Sequence, residues 1–373
     1  MSLSSSERER YQRHLSLSEI GAAGQERLKA ARVLIVGAGG LGSPAALYLA
    51  AAGCGTLGLL DYDKVELSNL QRQVLFDCDA LSQPKAEAGR ERLARLNPEV
   101  RIVAHAVELK ADNVRTLFAQ YDLVLDGTDR LAARYLINDA CVILRKPLVS
   151  AAVHRFEGQL MTYVPGKGPC YRCVFPHSAE GLVASCAEAG VLGVLPGVLG
   201  TLQATEALKL ITGVGEPLIG RLLTYDALEM SFSEFRIARR ADCAVCGDAP
   251  TITEPRAAPP PAAAAGVRRL SAGGLQQLLR AAHADTPLLV DVREVPEFAA
   301  GHLPGAVNIP LGELPQRLAE LAPHPSPVFI CRSGGRSMQA CQLALRAGLP
   351  APANLEGGLL AWAREIDPAL HVL

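Results

Sequence analysis

Between Arg32 and Asp61 the chain alternates apolar runs with small residues. It reads Arg32-Val33-Leu34-Ile35-Val36, the turn Gly37-Ala38-Gly39-Gly40-Leu41-Gly42, an Ala/Leu-rich stretch from Pro44 to Ala52, then Leu57-Gly58-Leu59-Leu60. A short β-branched run, a longer run at helical spacing and a second short apolar run predict strand, helix, strand. Upstream, residues 6 to 30 read as helical, with Ser6 as the cap. Downstream, Asp61 to Gln73 is too polar for a strand. Lys85 opens a helix that Pro98 stops after Asn97, and Val100–Val107 and Leu123–Leu125 read as further strands. A long apolar helix follows Gly190 and runs to Ile211. This alternation predicts a doubly wound, Rossmann-like and mainly parallel sheet.

The pattern stops at residues 249–265, which hold five prolines and no amphipathic period, so a stiffened linker is expected there. From Gly266 a smaller α/β unit is expected. It has helices over Ser271–Ala282, Leu314–Leu321 and Met338–Ala347, and strands over Leu288–Arg293 and Val328–Ile330. The expected division is therefore 1–248, a linker at 249–265, and 266–373.

Composition narrows the function classes. At 373 residues, 49% hydrophobic and 20% charged, the chain can build two sizeable cores. Its 37 Lys/Arg against 38 Asp/Glu, nine of each from Gly266 onward, leave no basic surplus in either part, so no nucleic-acid partner is expected. No stretch is apolar enough to span a membrane, and Met1–Arg8 has no signal-like core. Ten cysteines, four of them in two C-x-x-C pairs, suit metal and thiol chemistry in a reducing cytoplasm better than a disulfide framework.

Four places carry candidate chemistry. Gly37, Gly39 and Gly42 form G-x-G-x-x-G between a strand and a helix, with the acid Asp61 24 residues after the first glycine. Such a turn lets backbone approach phosphate and aims a helix N-terminus at it. On this motif alone, a dinucleotide and hydride transfer are the stronger reading. Cys170 and Cys173 form one C-x-x-C knuckle, and Cys243 and Cys246 another. Two such pairs complete a tetrahedral zinc site, with redox dithiols or unrelated buried cysteines as the alternatives. Cys186 reads equally as a packed small hydrophobe or as a working thiol. Finally, Cys331-Arg332-Ser333-Gly334-Gly335-Arg336-Ser337 sets a cysteine between a strand end and a helix N-terminus, where backbone N–H groups cradle an anion. The arginine falls fifth after Cys331, which is too short a cradle for a C-x5-R phosphatase loop.

Together these residues resemble two families. Arg10-Tyr11-Gln12-Arg13, Val36–Gly42, Asp61-Tyr62-Asp63, Ser68-Asn69-Leu70-Gln71-Arg72-Gln73, Lys85, Asp129, the C-x-x-C pairs and Cys186 resemble the MoeB/ThiF family of ubiquitin-activating-like adenylyltransferases. Asp291-Val292-Arg293, Gly301–Ala306 and Cys331–Ser337 resemble a rhodanese domain. The order is similar to the MoeB–rhodanese fusions of molybdopterin synthesis and tRNA thiolation.

The resemblance implies ATP in place of a dinucleotide. Gly37, Gly39, Gly40 and Gly42 would approach it and Asp61 would hold its ribose. The segment Ser68, Asn69, Leu70, Gln71 and Arg72 would contact it together with Lys85, whose charge suits the phosphates. Asp129 would take Mg²⁺. The family commonly has Asn at the next position, which is Arg130 here, and Arg13 resembles an arginine that reaches across a homodimer. The implied partner is a ubiquitin-like sulfur carrier ending in Gly-Gly, adenylated at its C-terminus. Cys331 would then hand it sulfur as a persulfide steadied by Arg332 and Arg336, and Cys186 would resolve the product. The sulfur donor would be a cysteine desulfurase or thiosulfate. An NAD-dependent oxidoreductase with a rhodanese appendage is the alternative.

Overall fold

A computed structural model describes residues 2–176, 190–256, 267–281, 287–324 and 326–372. These fall into two compact units, one within 2–176 and 190–256 and the other within 267–372. Of the expected linker, residues 257–265 lie outside the described residues, as does Cys186. Its first residues are folded: the N–H groups of Thr251 and Ile252 both donate to Ala244 O.

The first unit is built on eight strands: β1 (Arg32–Val36), β2 (Thr56–Leu60), β3 (Arg101–His105), β4 (Leu123–Asp126), β5 (Leu148–His154), β6 (Glu157–Tyr163), β7 (Arg221–Asp226) and β8 (Ser231–Arg236). Their order is β3-β2-β1-β4-β5-β6-β7-β8. Strands β1 to β5 pair in parallel, and β5 to β8 pair antiparallel. The apolar runs are continuous because both faces of the parallel part are buried. Val33 and Ile35 pack under the helices on one face, while Leu34 and Val36 pack with Phe118 and Ile137 on the other. In register, Val36 lies beside Leu60 and Asp126. The carboxyl ends of β1, β2 and β4 therefore meet where the strand order reverses, the usual ligand crevice of an open α/β sheet.

Several expectations shift. The predicted helix over 6–30 is three helices, Ser5–Arg10, Gln12–Leu15 and Gly21–Ala30. Its cap is Ser4 rather than Ser6: Glu7 N–H donates to Ser4 Oγ while the Glu7 carboxylate accepts from Ser4 N–H. The helix after the glycine turn spans Gly42–Ala51, and the one past Gly190 spans Leu195–Thr212, closed by left-handed Gly213.

The second unit is a parallel five-stranded sheet of β9 (Arg268–Leu270), β10 (Leu289–Asp291), β11 (Val307–Asn308), β12 (Val328–Ile330) and β13 (Ala353–Leu355). The order is β11-β10-β12-β13-β9. Val328 and Ile330 face one core with Trp362, and Phe329 faces the other with Val290 and Cys331. The helix after the cysteine loop begins at Gly335, three residues before the expected start, so Arg336 and Ser337 belong to its first turn.

Candidate active sites and a cysteine metal cluster

The glycine turn follows β1 directly. Gly37 has φ +88°, and a Cβ there would stand 2.9 Å from Gly127 O; one on Gly42 would stand 1.9 Å from Gly37 O. Neither position tolerates a side chain, so the turn is closed backbone against backbone. Asp61, at the end of β2, braces it by accepting from Ala38 N–H at 2.8 Å and Asp63 N–H at 2.9 Å. Burial pushes the Asp61 carboxyl above its usual range, opposed by the Lys85 charge and those two N–H donors.

Lys85, at the start of helix Lys85–Leu96, is buried with its Nζ 3.2 Å from Asp63 Oδ2. The polar run from Asp61 to Gln73 is loop and a single 3-10 turn at Leu67–Asn69. There Arg72 Nη1 donates to Ser68 O at 3.0 Å, Leu70 packs on the core, and Ser68 and Gln71 are exposed. Asn69 is buried with an unpartnered Oδ1. Gln73, next to the residues singled out from sequence, is buried likewise with an unpartnered Oε1, and its amide lies against Gly39. Two desolvated acceptors without partners mark a place built for a ligand's donors or for water. Gln73 closes the Ser68–Gln73 motif that carries the resemblance, but no contact with the nucleotide was expected of it.

The turn before Asp129 has its own support, which the sequence reading missed. Asp126 Oδ1 accepts from Thr128 N–H at 3.0 Å and Thr128 Oγ1 at 2.7 Å, and Oδ2 accepts from Ser150 Oγ at 2.9 Å. Arg134 sits 3.4 Å from Asp126 Oδ2 and donates to Thr128 O at 2.6 Å. Asp129 thus leaves a fixed turn with its own side chain exposed. Arg130 points to Glu108 at 2.9 Å and lies 5.3 Å over the Tyr62 ring. Arg13 is exposed on its short helix.

The four knuckle cysteines converge. Their sulfurs all lie within 4.8 Å of one another, with Cys170 3.7 Å from Cys243 and Cys173 3.3 Å from Cys246. A tetrahedral zinc with bonds of about 2.3 Å has sulfur–sulfur edges of about 3.8 Å, so the set fits a closed four-thiolate site. Hydrogen bonding from the Cys170 thiol pushes Cys173 down to about 6 and Cys243 further down, while Cys170 itself is pushed up. Cys246 is also pushed up, to about 12; thiolates are thus favoured at Cys173 and Cys243, and a bound cation would be needed to favour them at all four. Arg240 N–H also donates to Cys173 Sγ at 3.4 Å.

In the second unit Cys331 is buried, accepting from Gly334 N–H at 3.1 Å with Ser337 Oγ at 3.3 Å. Gly334 is left-handed at φ +97°, which turns its N–H back toward the sulfur. Arg332 is half-buried in the loop. Arg336 is held bidentately by Glu297 at 2.7 and 2.8 Å, so its charge is matched locally. A backbone N–H therefore donates to the sulfur, and a hydroxyl lies within hydrogen-bond reach of it. Buried Arg293 grips Asp291 and Gly301 O, tying the Asp-Val-Arg segment to the loop at Gly301.

The ThiF family profile matches residues 11–245, and the rhodanese-like domain profile matches residues 274–365. The chain belongs to the ThiF family. It carries a rhodanese-like domain after its ThiF-family part. It is 42% identical to the adenylyltransferase and sulfurtransferase MOCS3 of Aedes aegypti, over 99% of this chain and 90% of that protein. It is also 42% identical to the probable adenylyltransferase/sulfurtransferase MoeZ of Mycobacterium tuberculosis, over 98% and 95%. The sulfur carrier protein adenylyltransferase of Thermus thermophilus is 50% identical over 66% of this chain and 94% of its own length. Among solved structures, E. coli MccB with ATP superposes at a TM-score of 0.57 and 26% identity, over 65% of this chain and 75% of that one. Family membership displaces the dinucleotide reading of the glycine motif.

Proposed function

We propose that the chain adenylates the C-terminal glycine of a ubiquitin-like sulfur-carrier protein with ATP and then converts it to a thiocarboxylate. The observation that carries this is the pairing, in one ThiF-family chain, of a glycine turn closed to side chains, which has Arg72 against Gly40 and Lys85 beside Asp61, with a buried cysteine held by a backbone N–H in a rhodanese loop. The carrier's carboxylate attacks the α-phosphate and pyrophosphate leaves. Lys85, Arg72 and Asn69 meet the charge that develops there, and Asp61 keeps the turn in shape while facing the ribose. Asp129, a hard oxygen on a braced turn, would hold Mg²⁺, which supplies charge neutralisation on the phosphates. The four-cysteine cluster, remote in role from the chemistry, holds structural zinc.

Sulfur transfer follows at the second centre. Cys331 takes a sulfane sulfur from thiosulfate or a cysteine desulfurase. The terminal sulfur of the persulfide attacks the acyl-adenylate carbonyl and AMP departs. Cys186 thiolate then attacks Cys331 Sγ, breaking the S–S bond; the thiocarboxylate leaves and a Cys331–Cys186 disulfide remains for a thiol reductant to open. The division into 1–248, 249–265 and 266–373, action as a homodimer through Arg13, and a cytoplasmic setting belong to the same reading.

The test is ATP–pyrophosphate exchange with and without a Gly-Gly carrier. Exchange that requires the carrier supports the reading; exchange indifferent to the carrier, or absent with it, contradicts it.

A further inference from the structure

The helix Leu131–Ile143 ends in a way that neither reaction explains. Lys146 N–H donates to Cys141 O at 2.8 Å and Arg145 N–H to Val142 O at 3.2 Å, a closing pair that forces the intervening residue left-handed. Glycine is the usual occupant. Here it is Arg145, at φ +53°, an uncommon conformation for a residue with a Cβ. It lines a cavity of about 360 Å³, with Val142, Tyr163, Arg239, Cys246 and the turn around Gly166 and Gly168. Arg239 is anchored on two edges, donating to Cys246 O at 2.9 Å and to the exposed Asp248 at 2.7 Å. Arg145 has no carboxylate partner among the described residues, and no carboxylate lines the cavity. The polar side chains lining the cavity are two guanidiniums, a phenol and the Cys246 thiol, beside an apolar wall from Val142; Asp248 matches the charge of Arg239, so the unmatched cation is Arg145.

We propose that this cavity is a second anion site, taking the phosphate of a small phosphate ester between Arg145 and Arg239 and its organic part against Val142 and Tyr163. Paired guanidiniums suit phosphate oxygens, and the volume exceeds what a bare phosphate fills, which favours an ester. The site is not the nucleotide cradle. Helix Leu131–Ile143 has 13 residues, so its two ends are about 20 Å apart; Asp129 and Arg130 precede its start, and Arg145 follows its end.

The probes are phenyl phosphate and inorganic phosphate, titrated calorimetrically into the full chain saturated with a non-hydrolysable ATP analogue and Mg²⁺. The variant is Arg145→Gly, which restores the residue this helix end prefers and so keeps the fold. Wild type is expected to bind phenyl phosphate more tightly than inorganic phosphate. Arg145→Gly is expected to weaken phenyl phosphate at least tenfold while its Tm stays level or rises. Equal binding by wild type and variant, or no preference for the ester, would overturn the proposal.

Discussion

At the scale of single residues, the account rests on side chains whose surroundings leave few alternatives. Gly37 and Gly42 stand where any Cβ meets backbone oxygen, and Asp61 is committed to the turn by two N–H donors. These were legible in sequence because the strand–glycine–helix pattern prescribes them. Gln73 and Arg134 were not, since an amide or an arginine carries no local signature of burial. Only the fold shows that Gln73 lies on Gly39 and that Arg134 braces Thr128. Arg13 remains an exposed cation on a short helix, and the proposal gives it work only in a second copy of the chain. Arg13→Ala and Lys85→Ala are each expected to lower pyrophosphate exchange at least tenfold. Mixing the two and allowing subunits to exchange should restore about a quarter to a half of the lost activity, through a dimer in which one site regains both groups. No recovery on mixing would remove the cross-subunit role.

At the scale of elements, the cysteine knuckles and the rhodanese loop each make a measurable claim. Cys170 caps the short helix Tyr171–Val174 and Cys173 lies within it, and this helix is tied to helix Leu131–Ile143 by Tyr171 N–H to Asn138 and by the bidentate pair of Arg172 with Asp139. Cys173→Ser is expected to drop zinc content and lower Tm by several degrees, while the folded fraction still binds ATP. A zinc-free wild type by metal analysis would overturn the assignment.

The second element is the helix Val295–Ala300, whose Glu297 holds Arg336. Burial pushes the Glu297 carboxyl up, but hydrogen bonds from Arg336 and from Glu294 N–H outweigh it, and the net direction is below the usual 4.5. A carboxyl depressed in the folded state contributes fully above its unfolded value and loses that contribution as pH falls through the folded one. The second unit is therefore expected to weaken below about pH 4.5. Glu297→Gln should remove about 2 kcal/mol at pH 7 and flatten that acid-side loss. Trp362, the only tryptophan, lies in the core of this unit, so its fluorescence in urea reports this unit alone. An unchanged pH profile in the variant would contradict the pair's role.

Sequence and structure part company at this scale too. The parallel strands β1 to β4, β10 and β12 were readable as apolar runs, whereas β5 and the two- or three-residue strands β9, β11 and β13 were not. The antiparallel extension β6 to β8 was not readable either; at its edge, β8 is exposed along its whole length and has no buried face to impose a pattern.

For the whole molecule, each unit has its own core and its own chemistry, and the chain's logic is that both act on one substrate. The motif pairs made that readable before any coordinates, since two independent loops point to activated acyl and to sulfane sulfur. Which thiol resolves the product was less readable, because a lone cysteine between knuckles has no distinctive neighbours in sequence. The most direct measurement is mass spectrometry of a Gly-Gly carrier after incubation with ATP, Mg²⁺, thiosulfate and either wild type or Cys331→Ala. The account predicts that wild type exchanges one C-terminal oxygen of the carrier for sulfur. Cys331→Ala should yield only the adenylate or its hydrolysed carboxylate, with pyrophosphate exchange intact. A thiocarboxylate formed at the wild-type rate by Cys331→Ala, or none formed by wild type, would contradict it.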